Sequence, residues 1–581
     1  MDAPAIHSPI QLSALMFAIL PIASADAWET VVNNGDFAPG STTELFFSYN
    51  QPSIDDAGLV VFRARAKTPS GGTSKGEPLS GIFTRDMSVD GATIETLAAR
   101  KGQLPAPNNV TTPGPSTFNE FPSFPRIDAT SGTVAFRAQS TPSLVTTLPD
   151  GSETRSGTSG LYATPANGSL TTGIRNVLPG SYPEFQVPNQ QTAIRFDQFP
   201  GAPSPTGNII TFKGNWTDSN GTNQTGVYFR DIVANGGSSP VIEVARRGMA
   251  IPSNAIPENY AGTGVFDSTS PPSAAAGKMV FTGLDNEAAP KAGGIFMASL
   301  TDNPTLSALA SVNTQVPKNG TQTLTAFGEG LSFDGRYVGF WGGWGTETFS
   351  KQVQCASDGS AALLSACYAQ DDNGIANDGI YNFDVLKNQG IFLADTQLDK
   401  IFLVAQTGGV FDDFLFWNFS GKASGEEGDA EAEAARWRSS AFVAIDGNDV
   451  IFKAMKGAAS GLYSALDVSE FFDDSDLVTL LETGMDGGML DPMAAGLPIV
   501  SLGIERDGFR NGKLAINASM ATAEEGWAGI YVTSDDVRAE ILAMSIPEPG
   551  TLAQLGLGLA ALTYLRLRRD MALIRQRSYR R

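Results

Sequence analysis

The sequence of 581 residues has almost no histidine or cysteine. Its one histidine is His7, near the start of the chain, and its two cysteines are Cys355 and Cys367. Because the rest of the chain has no imidazole, we exclude Ser-His-Asp and Cys-His catalytic arrangements and zinc or iron sites with histidine ligands. Any catalysis would have to rest on carboxylates, tyrosine, lysine or a hard metal ion.

Charged residues are also few, at 17% of the chain, and acidic residues predominate. There are 61 Asp and Glu against 39 Lys and Arg, which gives a formal net charge of -22. Basic residues are concentrated after Arg566, so the rest of the chain is more acidic still. A surface of this charge repels phosphate backbones, and we therefore expect no nucleic-acid partner.

Long apolar stretches are confined to the two ends of the chain. The first runs from Ile10 to Ala25 and is followed by small residues, which is the layout of a secretory signal peptide. Cleavage after Ala25 or Ala27 would fit, so we predict a signal peptide over residues 1–27. The leading region has no Lys or Arg, and an N-terminal anchor or a misassigned start is the alternative.

The other end, residues 546–581, has three parts in a fixed order. A Pro-Glu-Pro motif comes first, an uncharged apolar span over residues 551–565 follows, and a basic cluster comes last. The motif consists of Pro547, Glu548 and Pro549, and the cluster of Arg566, Arg568 and Arg569. The span is short for a bilayer, but flanking arginines can reach the interface, and the positive-inside rule holds them in the cytoplasm. A simple single-span anchor is the alternative.

This tail resembles the PEP-CTERM sorting signal of Gram-negative bacteria. The resemblance implies that exosortase, a membrane-embedded protease, recognises the chain near Pro547, Glu548 and Pro549. It also implies a membrane-anchored intermediate and later transfer to the cell surface or release, often in bacteria that make exopolysaccharide. The tail departs from the pattern by continuing from Asp570 to Arg581 beyond the arginine cluster.

Residues 28–545 are built from one repeating pattern. Its first part is a Gly-led run ending in an aromatic residue and a small one, as in GLVVFRA, GTVAFRA and GNDVIFKA. Its second part is Gly, then Ile, Leu or Val, then Phe or Tyr, and it occurs seven times, mostly 66 to 79 residues apart with one longer interval. Runs rich in Val, Ile, Phe and Tyr bounded by Gly are typical of strands, and each small sheet must stack on its neighbours.

Seven such units predict an all-β propeller of seven blades, with eight blades as the alternative and a parallel β-helix as the structural rival. The segment WETVVNNGDFAP at 28–39 is an unpartnered strand element, and we expect it to complete the last blade beside AGIYVTS. The repeats resemble the repeat propellers that often carry PEP-CTERM tails, a resemblance that implies no particular activity.

The longest interval between repeats holds an insertion around residues 351–379 that contains Cys355 and Cys367. In an exported protein these two cysteines are expected to form a local disulfide, and free thiols are the alternative. The insertion also offers hard oxygen ligands, which makes calcium the one candidate cofactor. These ligands are Asp371, Asp372, Asn373 and Asp378. The spacing is not that of an EF-hand, and a solvated loop is the alternative.

Two further features bear on a ligand site. The acidic run at 425–437 has a helical composition and predicts a short exposed helix. A group of aromatic residues could stack on sugars or, alternatively, pack between blades. This group is Phe340, Trp341, Trp344, Phe414, Phe416 and Trp417. The strands expected to line the axis contain few acids, with Asp449 an exception, so no carboxylate pair for glycoside hydrolysis stands out.

The two ends together predict an exported surface or extracellular-matrix protein. By analogy with other propellers, we expect a non-enzymatic protein that binds exopolysaccharide or another envelope component. A carboxylate-based polysaccharide hydrolase or lyase is one alternative, and a purely structural matrix protein is the other.

Overall fold

A computed structural model gives the fold of the body of the chain. The described residues are 27–68, 79–107, 116–141, 144–147, 151–166, 168–176, 182–356, 361–369, 378–420 and 435–538. Residues 1–26 of the predicted signal peptide and the whole sorting tail lie outside these ranges. In the described part of the chain, no helix is long and apolar enough to cross a membrane.

The described residues form seven antiparallel sheets of the kind predicted, each with four strand positions. They are the blades of a propeller, numbered here in chain order. The first strand, β1 (Trp28–Asn33), belongs to the last blade. The strands of blade 1 are β2 (Leu45–Tyr49), β3 (Ser53–Ile54), β4 (Leu59–Lys67), β5 (Leu79–Asp86) and β6 (Glu95–Ala99). Those of blade 2 are β7 (Phe118–Glu120), β8 (Arg126–Ile127), β9 (Val134–Ser140), the separate hairpin β10 (Leu144–Thr147) and β11 (Glu153–Ser156), β12 (Ser159–Thr164) and β13 (Thr171–Arg175).

The next three blades follow the same plan. Blade 3 has β14 (Ser204–Thr206), β15 (Ile209–Thr217), β16 (Asn223–Asp231) and β17 (Ile242–Arg246). Blade 4 has β18 (Ser268–Thr269), β19 (Ser273–Ala275), β20 (Lys278–Leu284), β21 (Gly293–Ser299) and β22 (Leu306–Ser311). Blade 5 has β23 (Leu324–Phe327), β24 (Ser332–Phe333), β25 (Tyr337–Gln354), β26 (Ile380–Asp395) and β27 (Lys400–Gln406).

The remaining strands form a separate hairpin and the last two blades. The hairpin is β28 (Phe416–Ser420) and β29 (Arg436–Ser440). Blade 6 has β30 (Val443–Asp446), β31 (Asp449–Lys456), β32 (Ala459–Ala465) and β33 (Val478–Glu482). Blade 7 has β34 (Ile499–Gly503), β35 (Phe509–Arg510), β36 (Lys513–Ala521) and β37 (Gly526–Thr533). The helices are α1 (Ala361–Tyr368) and short 3-10 turns at Pro183–Phe185, Ala234–Gly237, Ser253–Ala255, Asp474–Asp476, Gly487–Met489 and Pro492–Ala494.

The first strand of every blade is interrupted, and the two pieces pair with the same second strand. The pieces nearer the axis are β3, β8, β14, β19, β24, β30 and β35. Each of these axial segments contacts the next, and β35 contacts β3, so they close a ring around the axis. The closed ring confirms seven blades and is inconsistent with eight blades or a β-helix.

The chain closes the ring by pairing its two ends. Strand β1 runs antiparallel to β37, with Trp28 opposite Thr533 and Asn33 opposite Gly529. This pairing confirms that the segment at 28–39 completes the last blade. Because blade 7 takes strands from both ends of the described chain, neither end can detach without opening the ring.

The repeating motifs meet inside each blade as a cross-strand aromatic pair. The aromatic residue of the second strand lies opposite the Phe or Tyr of the third strand, as Phe62 lies opposite Phe83. In six blades the two rings are 5.3 to 5.9 Å apart between centroids. The third-strand ring lies over the glycine two positions earlier, and a Cβ on Gly81 would come within 2.9 Å of the Phe83 ring. The Gly-x-Phe/Tyr motif therefore results from packing of the aromatic ring on the backbone of the motif glycine.

Turns between the first and second strands connect neighbouring blades on what we call the bottom face. The Asp334 carboxylate accepts a hydrogen bond from the Gly447 N–H at 3.0 Å, and Asp446 accepts from the Gly512 N–H at 2.7 Å. Each of these acids therefore ties its blade to the next one. The opposite, top face carries the loops between second and third strands and the loops that enter each blade.

Candidate functional site

The interruptions of the first strands create a cavity on the axis at the top face. The loops that join the two pieces, here called break loops, converge there from five blades. They enclose a cavity of about 110 Å³, which we call the axial mouth. Its walls include Phe124, Pro271, Glu329, Phe442, Glu505 and Arg506.

Beneath the axial mouth, an ion cluster of Arg126, Asp507 and Arg510 joins several blades. Arg126 donates from Nε to Asp507 Oδ2 at 2.5 Å, and Arg510 donates from Nη2 to Asp507 Oδ1 at 2.7 Å. The two arginines also donate to backbone carbonyls of Pro272 and Ile445, at 3.1 and 2.6 Å. Burial raises the pKa of Asp507, but the two arginines outweigh it and hold that pKa below its usual value.

Glu505 is the buried carboxylate of the axial mouth. It accepts a hydrogen bond from Arg506 Nε at 2.7 Å, and only 4% of its side chain is exposed. Burial raises its pKa, against the opposing effect of Arg506 and Arg126. Glu329, which also lines the mouth, is exposed. The mouth thus brings together two carboxylates in different surroundings.

A larger groove opens beside the axial mouth and is continuous with it. Its volume is about 360 Å³, and the two share Glu329, Gly330, Ser440 and Ala441. We call it the top-face groove. One side is formed by blade 4, with Glu287 at its edge, and the other by β28 and β29. Its lining combines aromatic rings, charges and hydroxyls: Trp341, Trp417 and Trp437, Arg436 and Arg438, and Ser268, Thr269, Ser270, Thr282, Ser439 and Ser440.

Two hairpins standing above the top face form the outer wall of this groove. Strands β25 and β26 extend far beyond blade 5 and pair as far as Gln354 opposite Ile380. The second hairpin, β28 with β29, packs against them, and the rings of Phe383 and Trp417 stack at 4.1 Å. Trp437 packs edge-on against Phe383, at 6.2 Å between centroids. The wall therefore positions both tryptophans by contacts with neighbouring aromatic side chains.

A disulfide closes the far end of the wall. Cys355 and Cys367 are bonded, with Cα atoms 6.1 Å apart, which confirms the predicted pair. Cys367 lies in α1, and its carbonyl accepts a hydrogen bond from the Tyr381 hydroxyl. The insertion is thus a covalently closed cap on a hairpin.

The structure gives no support to a calcium site in this insertion. Asp371, Asp372 and Asn373 lie outside the described residues, and Asp378 accepts a hydrogen bond from the Ile380 N–H at 2.9 Å. Among the residues that the structure describes, no three His, Cys, Asp or Glu side chains are grouped to hold a metal ion. Calcium as a cofactor is therefore unsupported.

The other predicted site residues separate into two groups. Phe340, Trp344 and Phe414 are buried in the hydrophobic core, so for these three the packing alternative holds. Trp341 and Trp417 line the groove, although Trp341 is also buried in the core, and Phe416 is half-buried in β28 beside Lys453. The residues of the sorting motif and the basic cluster lie outside the described ranges. They are Pro547, Glu548, Pro549, Arg566, Arg568 and Arg569.

Sequence reasoning missed several lining residues and misplaced one. The prediction of a helix up to Trp437 was wrong at its end, because residues from Arg436 form strand β29. Asp449 does not face the axial mouth. It lies at the bottom-face start of β31, where both oxygens accept from Arg538 Nη2 at 2.8 Å. Trp437 was missed because the acidic run before it suggested a solvated surface. Its position between Arg436 and Arg438 was the feature of the sequence that could have indicated a binding residue.

Solved structures with a similar fold are propellers of low sequence identity. The β-propeller domain of the Trilobed protease from Pyrococcus furiosus is 9% identical, with 84% of this chain and 96% of that chain covered and a TM-score of 0.36. Trypanosoma rangeli sialidase is 10% identical, with 77% and 59% covered and a TM-score of 0.30. The α-L-arabinofuranosidase arb93a from Fusarium graminearum is 8% identical, with 72% and 92% covered and a TM-score of 0.27. These likenesses show the fold alone.

The prediction of a non-enzymatic protein is nevertheless corrected by this finding. The sialidase and the arabinofuranosidase are enzymes with glycosidic substrates on propellers of this kind, so the fold gives no ground for excluding catalysis. No curated protein sequence matches the chain.

The C-terminal tail has a specific match. The family described as "PEP-CTERM protein-sorting motif" matches residues 545–569, which include the Pro-Glu-Pro motif, the apolar span and the arginine cluster. This match indicates export, and the disulfide is consistent with it because disulfides form and persist outside the cytoplasm. The chain carries a PEP-CTERM sorting signal on a seven-bladed β-propeller, and it is an exported protein that passes through a membrane-anchored sorting intermediate.

Proposed function

We propose that this exported protein binds polysaccharide in the top-face groove. The observation that carries the proposal is the position of Trp417 and Trp437 on one wall of a groove whose lining also includes hydroxyl and charged side chains. Sugar rings present apolar C–H faces and a rim of hydroxyls, so they suit aromatic planes placed beside hydrogen-bonding groups.

The shape of the top face also favours a polymer over a small molecule. The groove meets the axial mouth at one end, and at blade 4 it shares Ser268 and Glu287 with a polar depression of about 370 Å³. That depression is lined by residues of blade 3, among them Lys213 and Trp216. A continuous path from blade 3 to blade 6 suits an extended chain of sugars.

The test uses the purified protein and two soluble polysaccharides, dextran and alginate. The molar mass of each polymer is followed by light scattering on a sizing column. We expect a polymer peak that gains mass and co-elutes with the protein. Trp437→Ala and Trp417→Ala should each weaken this association by about tenfold or more, because each removes a ring from the wall.

Phe471→Ala is the matched control. Phe471 is 91% exposed and lies between β32 and β33, on the bottom face, so its removal should leave association unchanged. If neither polymer associates with the protein, or if the Phe471 variant weakens association as much as the tryptophan variants do, the groove is not a polysaccharide site.

A second candidate function is hydrolysis of the bound polysaccharide. Glu329 and Glu505 both line the axial mouth. Glu505 is buried and Glu329 is exposed, and glycoside hydrolysis by two carboxylates requires such a difference, because one must hold a proton while the other is ionised. Buried Glu505 has a raised pKa, which suits a group that donates a proton to the leaving oxygen. Exposed Glu329 would activate water or attack the sugar.

The same sizing experiment separates the two functions. Hydrolysis would make the polymer peak lose mass over time, and Glu505→Gln and Glu329→Gln should each slow that loss by about a hundredfold or more. A polymer that keeps its length while carrying bound protein would exclude hydrolysis of that polymer and leave binding in place.

A further inference from the structure

One position of the repeat carries a basic residue in four of the seven blades. It follows the recurring aromatic residue of the second strand and lies opposite the interruption of the first strand. The seven occupants are Arg63, Arg137, Lys213, Thr282, Trp341, Lys453 and Asn517. Their side chains point toward the next blade at the level of the break loops, as Thr282 shows by donating to the Gly328 carbonyl at 2.7 Å.

Three of these cations lack a carboxylate partner among the described residues. Arg63 donates to the Asn50 side chain at 3.4 Å. Lys453 donates to the Leu502 carbonyl at 2.7 Å and lies 4.1 Å from the centroid of the Phe416 ring. Lys213 lines the polar depression of the top face, which also holds Asp197, Asp267 and Glu287, but it forms no ion pair with these three described residues. All three side chains are partly buried without a carboxylate in contact, and burying a cation without a counter-charge is unfavourable in the absence of a ligand.

Neighbouring cations of the same face are paired. Arg65 lies 3.6 Å from Glu120, and Arg247 lies 2.7 Å from Asp267. Asp and Glu outnumber Lys and Arg in this chain, so the absence of a carboxylate beside these three cations does not result from a shortage of acidic residues. Burial lowers the pKa of Lys453 to about 8 and that of Arg63 to about 10, as expected for cations without a close counter-charge.

We infer that the polymer bound by the top face is anionic, and that Arg63, Lys213 and Lys453 bind its carboxylate or sulfate groups locally, against the long-range repulsion of an otherwise acidic chain. The inference rests on the proposed function and adds the class of ligand. The three cations belong to blades 1, 3 and 6, so they are distributed around the propeller instead of forming one pocket. Three separated cations suit a polymer with a charge on each repeat unit, because one polymer chain can contact several of them and the weak contacts together raise its affinity.

The experiment compares alginate, a polyuronate, with dextran sulfate and with neutral dextran, using the full exported protein. We expect alginate or dextran sulfate to bind about tenfold or more tighter than dextran at low salt. Raising the salt concentration from about 0.01 M to about 1 M should remove this preference, because the screening length falls from about 30 Å to about 3 Å. The tighter of the two anionic polymers identifies the anion.

Lys213→Gln should weaken binding of the anionic polymer about threefold to tenfold and leave dextran unaffected. Its matched control is Lys278→Gln, which removes the same charge from the bottom-face start of the second strand of blade 4. Equal losses in the two variants would mean that only net charge matters and would overturn the inference.

Two further outcomes separate this inference from the proposed function. If dextran and alginate bind equally well and without salt dependence, the groove binds polysaccharide but the anionic class is wrong. If none of the three polymers binds at either salt concentration, the proposed function fails and the inference fails with it.

Discussion

Arg126 and Asp507 are 381 residues apart in the chain and form an ion pair on the axis of the propeller. The Arg126 side chain is fully buried, and 4% of the Asp507 side chain is exposed. The pair joins blade 2 to blade 7, which are the two neighbours of blade 1 in the ring. Arg510 adds a second bond to the same carboxylate, so one anion holds two cations where the axial segments meet.

Asp507→Asn should therefore destabilise the whole ring. The substitution leaves two buried guanidinium groups without their anion, a loss of about 3 to 5 kcal/mol in the free energy of unfolding. Denaturant unfolding followed by tryptophan fluorescence measures it. Glu347→Gln is the control, because its pair with Lys387 at 3.2 Å is mostly exposed and should contribute about 1 kcal/mol or less. Similar losses in both variants would show that the axial cluster adds no particular stability.

The fold was predictable because its repeats are local. The Gly-x-Phe/Tyr motif reflects an aromatic ring packed on the glycine two positions earlier in the same strand, and seven copies of it specify seven sheets. The candidate site was not predictable in the same way. Glu505 lies in a break loop without a repeated pattern, and its burial depends on Arg506 and on loops from four other blades. Trp437 reaches the groove only because a non-repeating hairpin packs on the long hairpin of blade 5.

The disulfide should stabilise the wall without supporting the blades. Replacing Cys355 and Cys367 by Ser opens a loop with a sequence separation of 12, a local loss of about 3 kcal/mol. We expect faster proteolysis between residues 355 and 379, detected by mass spectrometry of the fragments, and an unchanged unfolding midpoint for the propeller. The mass of the unmodified protein under non-reducing conditions should match the oxidised form. Equal cleavage rates for both proteins would mean that the bond does not order the wall.

The sorting tail should be removed at or near the Pro-Glu-Pro motif. Replacing Pro547, Glu548 and Pro549 by Ala should leave the tail attached, because these residues form the Pro-Glu-Pro motif near the start of the matched region. The mass of the exported protein in the native host distinguishes the two forms. Replacing Arg580 and Arg581, beyond the matched residues, is the control and should not alter processing. Removal of the tail in the triple variant would show that the protease reads another feature.

Lys453 should make the stability of the propeller depend on pH in a defined direction. Burial lowers its pKa from the usual 10.5 to about 8. Between about pH 8 and about pH 10.5 the unfolded chain therefore holds a proton that the folded chain has released, so the free energy of unfolding rises with pH there. The rise assigned to Lys453 is of order 2 kcal/mol. Denaturant unfolding at both pH values should show that Lys453→Met removes it, whereas Lys456→Met, at an exposed position of the same strand, should keep it. If the free energy of unfolding rises equally with pH in the Lys453 variant, the pH dependence does not come from the Lys453 ammonium group.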